Sequence, residues 1–276
     1  MYTHLQSKAR EEPPVTLSTL RQMKADGEKI ACITAYDASF ATVVDNAGVD
    51  LVLVGDSLGM VVQGHETTIP VSMDDMIYHC QATLRGLYRP FLLADLPFMS
   101  YATPNQAAAN SARLMQEGKA SMVKLEGGAP QLKVVEHLAR CDIPICAHIG
   151  LTPQSVHKLG GFSVQGRSAA AAKEMVQAAR DLESAGADIV LLECIPTALA
   201  QEISAAVAVP TIGIGAGPHV DGQILVLYDV LDITPGRKPR FAHNFLHGRD
   251  SVGAAIGAYV DAVKSGAYPA AEHCFT

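Results

Sequence analysis

Several positions in this 276-residue chain carry side chains that suit one chemistry, and each stands at the end of a short apolar run. Val54-Gly55 leads into Asp56 and Ser57, Ala94 into Asp95, Met122-Val123 into Lys124-Leu125-Glu126, Ala147 into His148, and Leu191-Leu192 into Glu193. Asp56, Asp95 and Glu126 offer only hard oxygen ligands, which suit Mg²⁺ and not zinc, and Mg²⁺ keeps waters and substrate oxygens in its remaining positions. A cation held this way can chelate the keto and carboxylate oxygens of a 2-oxo acid. As a Lewis acid it stabilises the enolate formed when the adjacent C–H bond loses its proton. Lys124 adds positive charge for the substrate carboxylate, and Glu193 is placed to act as general base. Together they read as proton abstraction α to a carbonyl, followed by carbon–carbon bond formation.

Each residue also has a plainer reading. An Asp after a strand commonly caps the next helix, and Glu193 could cap a helix beginning after Pro196. Lys124 could be an ion-paired lysine and His148 a satisfied core histidine. Independent caps, however, need not be acidic at strand end after strand end. Gly213-Ile214-Gly215-Ala216-Gly217 reads either as a phosphate-binding turn ahead of a helix N-terminus or as a tight turn needing glycine. Lys158 and Arg167 could meet an acidic substituent, although surface charge is their default reading.

The elements that must position these groups follow from periodicity. Leu17, Leu20 and Met23 recur at helical spacing before a stop at Gly27. Strands are expected at 30–35, 51–55, 91–94, 122–125, 143–147, 189–192, 211–214 and 224–227, with helices at 105–117, 131–140, 169–185 and 199–207 between them. Near-continuous apolar strands alternating with helices imply a parallel sheet covered on both faces, and eight strands close a barrel. An open doubly wound sheet would normally carry GxGxxG after its first strand, where this chain has Tyr36-Asp37-Ala38-Ser39. The expected architecture is a (β/α)₈ TIM barrel with an N-terminal helix and a C-terminal helical extension. It forms one domain over 1–276, with a polar arm at 1–15 and the extension at 234–276. Two long glycine-rich loops, 57–72 and 148–167, fall on the catalytic face of such a barrel. A further helix at 251–264 could cap the barrel or dock on another subunit.

Composition narrows the partners. Apolar residues make up 49%, enough for a large core, and the net charge of −7 argues against nucleic acid. Cys32, Cys80, Cys141, Cys146, Cys194 and Cys274 form no CxxC pair, so they read as free thiols in a reducing compartment. The N-terminus lacks the apolar core of a secretory signal, and no stretch approaches the roughly 18 apolar residues of a membrane helix. A cytoplasmic enzyme acting on small molecules, without a membrane partner, is the expectation.

Longer blocks are more specific. Gly27-Glu28-Lys29-Ile30 leading to Thr34-Ala35-Tyr36-Asp37 resembles the opening of ketopantoate hydroxymethyltransferases. The resemblance continues in Val54 to Met60, Gln63-Gly64-His65, His148 to Ser155, Leu159 to Phe162, Val164 to Arg167 and Gly213 to Gly217, spanning roughly residues 16 to 265. It implies an Mg²⁺-binding barrel, commonly a homo-oligomer of decamer form. The implied reaction condenses 3-methyl-2-oxobutanoate with 5,10-methylenetetrahydrofolate and water to give 2-dehydropantoate and tetrahydrofolate. By position, Asp56, Asp95 and Glu126 resemble the metal ligands. Asp56, Ser57, Asp95 and Lys124 resemble the oxo-acid contacts, with His148 a further pocket residue, and Glu193 resembles the proton acceptor. Asp232 departs from the family pattern, which usually has glycine there. Two other readings remain: a carbon–carbon lyase or mutase of the phosphoenolpyruvate mutase and isocitrate lyase type, and a non-catalytic 2-oxo acid sensor. The lyase type often uses a loop cysteine, and neither long loop here contains one.

Overall fold

The computed structural model describes residues 12–234 and 238–276, so most of the polar arm and residues 235–237 lie outside it. Eight parallel strands close a barrel in sequence order: β1 (Ile30–Thr34), β2 (Leu51–Val54), β3 (Phe91–Asp95), β4 (Met122–Glu126), β5 (Ile145–Gly150), β6 (Ile189–Glu193), β7 (Thr211–Ile214) and β8 (Gly222–Leu225). β8 pairs back onto β1, and nearly every strand residue is buried. This is why the strands read as unbroken apolar runs: helices cover one face and the packed lumen the other. Burying a side chain such as Ile33 or Leu51 contributes about 1.5–3 kcal/mol relative to leaving it exposed.

The helices are α1 (Leu17–Asp26), α2 (Ala38–Asn46), α3 (Leu58–Val61), α4 (Met73–Leu84), α5 (Pro104–Gln116), α6 (Leu132–Ala139), α7 (Val156–Leu159), α8 (Ala169–Ala185), α9 (Thr197–Ala206), α10 (Leu227–Val230) and α11 (Val252–Lys264). α1 is defined at both ends by local chemistry. Thr16 and Thr19 form a capping box, and Gly27 stops the helix at φ 72°. Lys24 then ties α1 to the lower rim of the barrel through the carbonyls of Ser204, Val207 and Val209.

Three expectations change. β7 passes to β8 through a tight turn with no helix between them, so the βα alternation lapses once. β8 begins at Gly222, two residues before the predicted start. A Cβ there would fall 2.6 Å from the Ile30 carbonyl oxygen, so glycine permits the closing strand to meet β1. The third concerns the C-terminal helix, which does not cap the barrel mouth. α11 packs against α2 and β1 as the outer helix of the closing seam. Its fully buried Tyr259 places its hydroxyl 2.6 Å from the Cys32 carbonyl and 3.0 Å from that of Gln223, bridging β1 and β8.

Candidate active site

Strand register assembles the site. Residues two apart on a strand share a face, so Lys124 and Glu126 both point into the lumen. Asp95 is registered beside Lys124, His148 beside Glu126, and Gly150 beside Glu193. Asp56 and Ser57 follow β2 directly. All of these residues except Gly150 line one cavity of about 690 Å³ at the carboxyl ends of the strands. The candidates read from the strand ends are therefore brought together, whereas Lys158 and Arg167 do not line this cavity.

The capping alternatives do not apply. The following helices start on Ser57, Thr103, Gln131 and Pro196, and none of Asp56, Asp95, Glu126 or Glu193 caps the helix after its own strand. That reading does hold for Asp37, whose carboxylate accepts from the Ser39 and Phe40 amides at the start of α2. Gly55 is small because a Cβ would lie 2.9 Å from Ser57 Oγ and 3.3 Å from Asp95 Oδ2. Its absence lets the Asp56 amide donate to Asp95 Oδ2 at 3.0 Å.

Lys124 donates to Asp95 Oδ1 and lies 3.9 Å from Glu126 Oε1, with all three side chains 5% exposed or less. Burial opposes its charge, but Asp95, Glu126 and Asp56 outweigh that penalty and raise its pKa, so it remains an ammonium. His148 sits between two carboxylates: Nδ1 is 3.6 Å from Glu126 Oε1, and Nε2 is 3.3 Å from Glu193 Oε2. Neither contact has hydrogen-bond geometry, so the link is ionic. Burial and the Lys124 charge work against the imidazolium, yet Glu126 and Glu193 push its pKa up to about 9. Glu126 is held low: burial would raise it, and His148 and Lys124 prevail.

These groups leave a charge imbalance. Within the cluster at the strand ends, Asp56, Asp95, Glu126 and Glu193 meet Lys124 and an imidazolium, two cations against four carboxylates, while Asp229, Lys238 and Arg240 line the same cavity. The imbalance falls on Asp56, whose pKa lies well above the carboxylate range because of burial first and then Asp95 and Glu126. Glu126 Oε1 is buried without a hydrogen-bond partner. Among the described residues, no three His, Cys, Asp or Glu side chains converge as a closed metal cage. An Mg²⁺ held by one or two carboxylates, with substrate and water as its other ligands, fits this donor set and offsets both surplus charges.

Two contributors were not evident from the sequence. Tyr36, fully buried, brings its hydroxyl within 2.9 Å of Ser57 Oγ. Gln154, in the loop after β5, donates its backbone N–H to Glu126 Oε2 at 3.0 Å and its side-chain amide to Asp56 Oδ2 at 2.8 Å. A glutamine in a polar loop carries no periodic signal, and only its place in the block Leu151 to Ser155 marked it.

The Gly213 to Gly217 segment takes the tight-turn reading. No helix follows β7, so the helix N-terminus that a phosphate site needs is absent there. Gly217, at φ 79°, leaves no room for a Cβ, which would stand 2.6 Å from the Thr197 side chain. Asp232, the departure from the family pattern, stands at φ 61°, a left-handed position that explains why glycine is usual there.

Comparison with known proteins decides among enzymes that could use this arrangement. The family model for ketopantoate hydroxymethyltransferase matches residues 14–271. The chain belongs to that family. It is 55% identical over 275 residues to the 3-methyl-2-oxobutanoate hydroxymethyltransferase of Alkalilimnicola ehrlichii, covering 100% of this chain and 99% of that one. It is 56% identical over 261 residues to a second such enzyme, from Hahella chejuensis, covering 95% and 98%. Solved structures of similar fold include a phosphonopyruvate hydrolase determined with oxalate and Mg²⁺, at TM-score 0.59 and 14% identity over 94% of this chain and 93% of that one. Another is 2,3-dimethylmalate lyase, a member of the PEP mutase/isocitrate lyase superfamily, at TM-score 0.55 and 17% identity over 77% and 81%. These two share the barrel alone, so the lyase reading has fold likeness behind it and the family assignment has sequence. No helix among the described residues is long and apolar enough to cross a membrane.

Proposed function

We propose that this ketopantoate hydroxymethyltransferase family member joins 3-methyl-2-oxobutanoate to the one-carbon unit of 5,10-methylenetetrahydrofolate, forming 2-dehydropantoate for pantothenate synthesis. The observation that carries the reading is the register of β3 to β6, which sets Lys124 among carboxylates with Glu193 at the open edge. Lys124 and Ser57 receive the substrate carboxylate. One or two carboxylates from among Asp56, Asp95 and Glu126 would hold Mg²⁺, which when bound supplies Lewis-acid stabilisation at the keto oxygen.

Glu193 takes the proton from C3 of the oxo acid. The carbon left electron-rich bonds to the methylene carbon of the folate as one of its two C–N bonds breaks. Water displaces the other nitrogen to supply the hydroxyl, and the C3 proton and one proton of water leave on the two nitrogens of tetrahydrofolate. His148 holds Glu193 from the side and, near neutral pH, remains cationic through the step. The site groups other than Glu193 and Ser57 are almost wholly buried, which keeps bulk water from quenching the carbanion.

A sensor of 2-oxo acids would need no base. The test is loss of the C3 proton of 3-methyl-2-oxobutanoate to D₂O, followed by NMR with and without Mg²⁺. Exchange that needs both protein and Mg²⁺ is expected. Binding without exchange would leave a sensor.

A further inference from the structure

Asp56 follows β2 and Glu126 ends β4, yet one residue holds an oxygen of each. The Gln154 backbone N–H takes Glu126 Oε2, and one side-chain N–H takes Asp56 Oδ2. The second side-chain N–H goes to the Leu96 carbonyl at 3.0 Å. Gln154 Oε1 accepts from the Tyr101 hydroxyl, and that hydroxyl in turn accepts from the Glu126 backbone N–H at 3.3 Å. All of these residues are buried. The amide cannot turn over, because its oxygen would then face the Asp56 carboxylate and the Leu96 carbonyl, two acceptors. Tyr101 fixes that choice by donating to the oxygen.

The consequence is an oxygen-by-oxygen division. Asp56 Oδ2 and Glu126 Oε2 are occupied by Gln154. Glu126 Oε1 has no hydrogen-bond partner, and Asp56 Oδ1 takes none from the described residues. Both carboxylates therefore offer a single oxygen.

We propose that Gln154, locked by Tyr101, is a positioning residue that presents one oxygen each of Asp56 and Glu126 to the divalent cation. This rests on the Mg²⁺ reading above. Hydrogen-bond partners of metal ligands typically change metal affinity 10- to 100-fold when removed.

The test is Mg²⁺ binding to the metal-free protein by isothermal titration calorimetry, with apo stability measured in parallel. Gln154→Met keeps length and removes the side-chain amide, and with it the hold on Asp56, while the backbone N–H stays on Glu126. Tyr101→Phe keeps the ring and removes the hydroxyl, a milder change that preserves a folded variant for measurement. Both should weaken Mg²⁺ binding, Gln154→Met by ~10- to 100-fold and Tyr101→Phe by less. The double variant should bind close to Gln154→Met, any remaining difference reporting the Tyr101 hydroxyl's own contact with the Glu126 backbone. Variants with lowered stability but unaltered Mg²⁺ affinity would show a merely structural network and overturn the proposal. If the unaltered protein fails to bind Mg²⁺, the metal reading falls, and this inference with it.

Discussion

Glu193 and His148 approach within 3.3 Å, and either type of side chain can accept a proton from carbon. Their surroundings give them different work. His148 is enclosed by two carboxylates that push its pKa up to about 9, so near neutral pH its ring already holds both protons. The Glu193 side chain is 15% exposed against 2% for His148, and it lines the cavity. Glu193→Gln preserves shape and removes basicity. It should slow both deuterium exchange and condensation by ~10² to 10⁴ while Mg²⁺ and oxo-acid affinity stay near the unaltered values. The same change withdraws one of the charges that raise the His148 pKa, so residual exchange should increase with pH as neutral imidazole appears. Exchange at the full rate, measured by NMR with Mg²⁺ saturating, would transfer the base to another group.

Elements aim these side chains through backbone positions that admit only glycine. Gly150 ends β5 at φ 98°, and a Cβ on it would fall 2.3 Å from the Glu193 carbonyl oxygen. Gly150→Ala should therefore displace the end of β6, lowering stability by about 1–3 kcal/mol and activity by more than that loss of folded protein accounts for. Gly257 gives the contrast: it lies inside α11 with nothing within 4 Å of a Cβ, so Gly257→Ala should stabilise by about 0.5–1 kcal/mol. Urea titrations of both variants check the signs, and a stable, fully active Gly150→Ala would refute the steric argument. Such positions also explain what could be read in advance. Strands were legible because a parallel barrel buries both faces, and the site because charged residues ended those apolar runs. The missing helix after β7 was not, since Gly215 and Gly217 suit a helix N-terminus and a tight turn equally well. Gln154 was hidden because its partners lie on β2, β4 and the segment after β3, and the loop sequence around it encodes none of them.

Across the whole molecule, charge and exposed apolar surface set the remaining expectations. The family resemblance implies a homo-oligomer, and Tyr78, Phe98 and Met99 expose 67%, 42% and 59% of their surface despite being large and apolar. Light scattering should give a multiple of the 29.1 kDa protomer, and a monomer at micromolar concentration would contradict that. The surplus negative charge of the buried cluster has a sharper consequence in pH. Asp56 is held above its ordinary range by burial and by Asp95 and Glu126, so folding penalises its ionised form, and the metal-free protein loses stability as pH rises beyond the carboxylate range. His148 adds to the trend: its contribution is complete below about 6.5 and is lost as pH climbs through about 9. Glu126, held low, costs stability only as pH falls below the carboxylate range, outside this window. Mg²⁺ reverses the Asp56 penalty because it binds the ionised carboxylate, so its affinity should increase with pH. Saturation at 100 times Kd is worth about 2.7 kcal/mol. The melting temperature with excess Mg²⁺ should exceed that in EDTA, and the gap should widen as pH rises above the carboxylate range in calorimetric scans. A gap that is absent, or constant with pH, would mean that Asp56 does not carry the cation.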